Sequence, residues 1–213
     1  MERIKGFLFS PSKTFDASKE DTIGDAFKYF LVILTINAVL SAIIAAVTFS
    51  LIRELFGTFM PPETPPFGAE IGPMFAVIFF IFALVGGIIV IFIGGLWLHI
   101  WVYLLGGRNG VGETLKAVMY GETPSRLLGW IPIIGIIALI WTFIVDIIGV
   151  RQLHELSTGK AVLAVILEII IAAIIISAII AAFIASLPEP VFPVPPTGFG
   201  FGGYSLSSFY FLP

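Results

Sequence analysis

Four apolar runs decide what this chain can become. Residues 29–52, 74–105 and 161–186 each exceed the ~20 residues that carry a helix across a bilayer, and residues 131–150 sit at that threshold. The runs are rich in Ile, Val, Ala and Phe without alternating polarity. They therefore predict helices, which satisfy their own backbone in lipid, and not the strands of a barrel. Composition agrees: 58% of residues are hydrophobic and 12% charged, against roughly 25% charged in soluble domains, and mean hydropathy is +1.08. The expected fold class is an all-α integral membrane protein.

Ahead of the first run, residues 1–28 carry Asp16, Lys19, Glu20, Asp21 and Asp25, the wrong position and length for a cleaved secretory signal. Ile4, Phe7 and Leu8 fall at helical i, i+3, i+4 spacing among basic residues, which predicts a short amphipathic helix at the membrane interface. Ser10-Pro11 offers an N-cap and first-turn proline for a second one, and Thr22-Ile23-Gly24-Asp25 resembles a capping box that opens the first span. Pro61, Pro62, Pro65, Pro66 and Pro73 predict an extended connection over residues 53–73. In the second run Ala83, Gly87 and Gly94 read as a small-residue stripe for close helix approach. Residues 187–213 hold prolines, glycines and aromatics with no Lys or Arg, which suits an exterior tail at the headgroup belt or packed over the outer mouth of the bundle.

The stretch YGETPSRLLGWIPIIG, residues 120–135, either loops through solvent or belongs to a polar helix that itself crosses the bilayer. Charge sidedness arbitrates. With five spans, at about 29–52, 74–105, 113–129, 132–150 and 161–186, nine basic residues including Arg3, Lys5, Arg108, Lys116, Arg151 and Lys160 face the cytoplasm, and only Arg53 and Arg126 lie outside. With four, Arg151 and Lys160 flank an exterior loop, the wrong bias. The expectation is a five-transmembrane-helix bundle with a cytoplasmic N-terminus and an exterior C-terminus. Span three then carries Glu113, Lys116, Glu122 and Arg126, each costing about 2.5–3.5 kcal/mol on a lipid-facing helix, and must be shielded by its neighbours. Glu122 and Arg126 have the i, i+4 spacing of an intrahelical pair, and Pro124 weakens the helix between them.

Five spans bring His99, Lys116, Asp146 and Glu168 into the cytosolic half, a candidate intramembrane polar cluster. Its readings are a structural lock, in which Lys116 neutralises an acid, a ligand or proton pathway, and simple snorkelling to the interface. GRNGVGET, residues 107–114, is a near miss for the phosphate-binding loop: Glu113 stands where that loop needs lysine, and no strand precedes it, so no nucleotide is expected. His154-Glu155 lacks a second histidine at i+4, so no metal site is expected. No cysteine, G-x-S-x-G elbow or serine–histidine–acid arrangement is present, so neither catalytic residues nor cofactors are expected. The net charge of −3 and the absence of a basic patch argue against nucleic acid.

SPSKTFDA before the first span, the 120–135 stretch, and GVRQLHELSTGKA before the last helix together resemble the Yip domain family, the Ypt/Rab-interacting multi-span membrane proteins. The likeness covers roughly residues 7–186. It implies a five-helix membrane protein with a cytoplasmic N-terminus and no catalytic activity, whose eukaryotic members bind Rab-type GTPases and each other. With its short N-terminal region, the chain is similar to the compact archaeal or bacterial branch. The resemblance brings no active site with it, and Tyr120, Gly121 and Pro132 match its pattern at the packing of spans three and four. The expected function is a non-enzymatic organiser of the membrane whose partners are lipids, other membrane proteins or a second copy of itself. The alternative is a small-solute or ion permease using Lys116, Asp146 and Glu168.

Overall fold

The computed structural model describes residues 2–57, 59, 71–131 and 133–187. All regular structure among them is helical: α1 (Glu2–Phe9), α2 (Pro11–Ala17), α3 (Ile23–Gly57), α4 (Ile71–Leu104), α5 (Val111–Gly121), α6 (Thr123–Leu128), α7 (Ile134–Leu153) and α8 (Thr158–Ser186). Four of these, α3, α4, α7 and α8, are long and apolar enough to cross a membrane. The aromatic tail, most of the proline-rich connection and Pro132 lie outside the described residues.

Residues 1–173 form one compact unit, and the chain from Ile174 forms a second. In the second unit the described part is the end of α8, where Ile176, Ile179, Phe183 and Ile184 are exposed.

Within the first unit, α5 is the hub. Every residue from Thr114 to Gly121 is buried, walled by α3, α4 and α7. Burial all round explains how a helix with Thr114, Lys116 and Tyr120 can sit amid apolar spans, because its polar groups meet protein and not lipid. Against α7 it runs antiparallel in a steady register. Thr114 meets His154, the Cβ of Ala117 faces Gly149, Gly121 faces Asp146, and Ser125 of α6 donates its amide to Thr142. Against α4, Thr114 meets His99, Leu115 and Val118 lie over Gly95, and Trp130 shares a cavity wall with Phe75 and Phe79. From His99 back to Phe79 is about 30 Å of helix at 1.5 Å per residue.

Glycines set the closest approaches. A Cβ on Gly87 would meet Leu34, and one on Gly95 would meet Leu115 and Val118, whereas Gly94 faces open space. The contact stripe of α4 is therefore Gly87, Ile91, Gly95, Leu98 and Val102, all buried, and Gly94 sits one residue off it.

The helix ends follow local chemistry. Thr22 and Asp25 form a reciprocal capping box at the start of α3: the Asp25 amide donates to Thr22 Oγ1 at 3.2 Å, and the Thr22 amide donates to Asp25 Oδ2 at 3.2 Å. Pro11 opens α2, although the Ser10 side chain makes no cap bond. Pro124 stands in the first turn of α6, and a break at Glu122 separates α5 from α6 within the 113–129 segment that the sequence reads as weakened at Pro124.

Candidate functional site

The polar groups gather where the N-terminal helices dock onto α5. Phe7 and Phe15 carry no exposed surface, and their rings pack on Tyr120 and Tyr29. The two N-terminal helices are thus inserted against α5, α6 and α7 by their apolar face. Burying each phenylalanine contributes about 1.5–3 kcal/mol. Trp141 of α7 donates its indole N–H to the Leu8 carbonyl at 2.9 Å, and Ser12 lies within hydrogen-bond reach of Gln152.

This docking assembles a latch around Asp21. Arg3 donates to both Asp21 oxygens at 2.7 and 2.6 Å, and the Tyr120 hydroxyl donates to Oδ2 at 2.6 Å. Burial alone would raise the Asp21 carboxyl, but the hydrogen bonds from Arg3 and Tyr120 outweigh it and hold the group below the usual carboxylate range. The bond to Asp21 correspondingly raises the Arg3 guanidinium. Lys116, 3% exposed, pairs with Glu113 at 2.9 Å and donates to the carbonyls of Asp21 and Lys19 at 2.9 and 3.2 Å.

Of the four residues of the expected cluster, Asp146 and Glu168 are electrostatic neighbours, whereas His99 and Lys116 have other partners. His99 Nδ1 lies 2.8 Å from Thr114 Oγ1, which also lies 2.8 Å from His154 Nε2. One hydroxyl proton serves two ring nitrogens, so one imidazole accepts from Thr114 while the other donates to it. Burial, with a smaller contribution from His99, pushes the His154 imidazole down to about 4. Lys116 finds its acid in Glu113, one turn away on its own helix. Asp146 faces Gly121, with one buried carboxylate oxygen lacking a hydrogen-bond partner, and Glu122 and Glu168 are its electrostatic neighbours. The Glu168 carbonyl accepts from the Trp97 indole at 3.1 Å. Glu122 and Arg126 form their pair at 2.8 Å, and the Arg126 carbonyl accepts from Asn37 at 2.9 Å.

Sequence reasoning missed Arg3, Asp21, Tyr120 and Thr114 as members of the polar system. The available signal was the buried face of α5, on which Thr114, Ala117 or Val118, and Gly121 recur at helical spacing. Among the described residues no group of three His, Asp or Glu side chains is placed to hold a metal ion. What the arrangement does is fasten the N-terminal segment to a helical bundle through mutually satisfied charges.

A family model described as the Yip1 domain matches residues 5–180. That range takes in the latter part of α1, all of α2 to α7 and most of α8. No curated protein and no solved structure is found to match the chain.

Proposed function

Because the chain belongs to the Yip1 domain family, we propose that it is a non-enzymatic, five-crossing membrane protein that organises the bilayer or binds other membrane proteins, including copies of itself. The observation that carries this reading is the latch. Arg3, Asp21, Lys116 and Tyr120 are engaged with one another, which leaves the long helices to present apolar side chains outward. Such a bundle offers lipids and membrane partners a rigid surface without a reactive group.

The fifth crossing is supported by the two ends of residues 111–130: α5 begins beside His99 of α4, and Trp130, beyond α6, shares a cavity wall with Phe75 and Phe79, about 30 Å back along α4, the thickness of the hydrocarbon core. With the N-terminus cytoplasmic, residues 187–213 lie outside. Single cysteines at Ser157 and Ser205 test this in a chain without native cysteine. An impermeant thiol reagent on intact cells should label position 205 and spare 157; the reverse pattern is that of four crossings with the same cytoplasmic N-terminus and overturns the five-crossing reading.

A permease is the second reading, favoured by the unpartnered Asp146 oxygen near Glu122 and Glu168. Flux of cations or small solutes into proteoliposomes separates the two. The organiser reading expects none above empty vesicles. Flux that Glu168→Gln abolishes in a folded protein assigns the permease.

A further inference from the structure

Between α3, α6 and the start of α7 lies a cavity of about 590 Å³ whose wall includes Asn37, Ser41, Glu122, Ser125 and Arg126. The volume falls within the roughly 300–1,000 Å³ of ligand sites. Its chemistry is unusual for its place. Ser41 lies about 27 Å along α3 at 1.5 Å per residue from Ile23, well inside a helix that is apolar enough to span. Two other cavities, against Phe75 and against Phe80, have almost wholly apolar walls.

Arg126 is poised for an anion. Glu122 reaches it through Nε at 2.8 Å, and the guanidinium lies over the Phe30 ring at 5.8 Å. The Glu122 contact lacks hydrogen-bond geometry, so Nε is buried without a hydrogen-bond partner, and Arg126 makes no other ion pair among the described residues, which leaves its guanidinium N–H groups to recognise phosphate bidentately. Ile133, Gly135 and Ile136 at the start of α7 line the same cavity. The positive end of that helix dipole therefore adds to the guanidinium. The Glu122 carboxylate alongside would accept from an ammonium or hydroxyl group on the same ligand. At the rim, Ile133 and Ile136 are 78% and 64% exposed, continuous with Leu139 on the outer face of α7.

A charged pocket opening onto an apolar wall fits an amphiphile. We propose that this cavity binds the phosphodiester headgroup of a membrane glycerophospholipid, with Arg126 on the phosphate, Glu122 and Ser125 on the headgroup's donors, and an acyl chain along Ile133, Ile136 and Leu139. The proposal requires only that α3 and α7 lie in lipid. A protein that purifies from membranes yet binds no phospholipid leaves the family reading intact.

The test is native mass spectrometry and thermal unfolding of the whole purified chain in mild detergent. It uses phosphatidylethanolamine, phosphatidylglycerol, diacylglycerol with the same acyl chains, and inorganic phosphate. Both phospholipids should be retained and should raise the unfolding midpoint, while diacylglycerol and phosphate should do neither. Arg126→Gln should weaken phospholipid retention at least tenfold. Ser41→Phe, which fills the cavity and leaves the ion pair intact, should do the same and decides the matter if Arg126→Gln does not fold. Equal retention of diacylglycerol overturns the proposal in favour of apolar adhesion. Binding of inorganic phosphate alone overturns it in favour of a free-anion site. Parental affinity in either folded variant removes the cavity as the site.

Discussion

Phe7 lies nearly flat on Tyr120, with ring centroids 4.6 Å apart and planes 16° from parallel. A residue of the first short helix thus touches the last turn of the most buried one, and the Asp21 latch closes beside that contact. Without the stack, Arg3 and Asp21 would have no reason to stand at Tyr120, since an exposed ion pair alone contributes only about 0–1 kcal/mol.

Phe7→Ala should therefore cost about 3–5 kcal/mol, the range for emptying a buried aromatic site, and should release the N-terminal helices. Phe9, 80% exposed on the same helix, supplies the control. Its alanine variant should unfold within about 0.5 kcal/mol of the parent in detergent. Limited proteolysis of folded protein should cut before Ile23 in the Phe7 variant first. Equal resistance of the two variants would show that the docking does not depend on this ring.

The latch carries its own pH signature. The folded-state carboxyl of Asp21 lies below its ordinary value of 3.8, so its contribution is present above about pH 4 and is lost as pH falls through the lower folded value. Asp21→Asn removes the charge-assisted bonds, worth about 1.5–3 kcal/mol. Its deficit relative to the parent should be full at pH 7 and should shrink below pH 3.5, read from paired unfolding curves at the two pH values.

His154 acts in a different window. Its imidazole titrates at about 4 in the folded protein against 6.5 ordinarily, so between these values the unfolded chain holds the extra proton. Stability is full above pH 6.5 and declines as pH falls towards 4, by on the order of 2 kcal/mol after allowing for solvent screening. Unfolding midpoints from pH 7 to 4 should show the slope in the parent. His154→Gln, which keeps a hydrogen-bonding group near Thr114 but cannot titrate, should flatten it.

Much of this was legible in the chain because the responsible forces are local. The apolar runs found α3, α4, α7 and α8, the Thr22–Asp25 box found the start of α3, and the i, i+4 spacing found the Glu122–Arg126 pair. Lys116 shows where local reading stops. Sequence offered it the intramembrane acids Asp146 and Glu168, yet it bonds Glu113 and two backbone carbonyls at residues 19 and 21. Those carbonyls come within reach only because Phe7 and Phe15 dock. An amphipathic helix of eight residues suits a lipid surface and a protein groove equally well, and nothing within it tells the two apart.

The glycines give the sharpest test of the packing. A Cβ on Gly149 would lie 2.7 Å from Phe15 Cζ and 3.2 Å from the Ala117 Cβ. Neither neighbour can yield easily, since Phe15 has no exposed surface and Ala117 has no rotamer to change. Gly149→Ala should therefore force α2 or α5 away from α7 and cost about 1–3 kcal/mol, the range for overpacking a tight core. Gly94 is the counterpart, with nothing within 4 Å of the added carbon. Its alanine variant should be neutral or gain up to about 1 kcal/mol from the higher helix propensity of alanine. Pairing Gly149→Ala with Phe15→Leu should recover part of the loss if the ring is the obstacle, and none if the clash is with Ala117. Reversible unfolding of the three variants in detergent measures all of this, and equal effects at Gly149 and Gly94 would contradict the antiparallel register of α5 on α7.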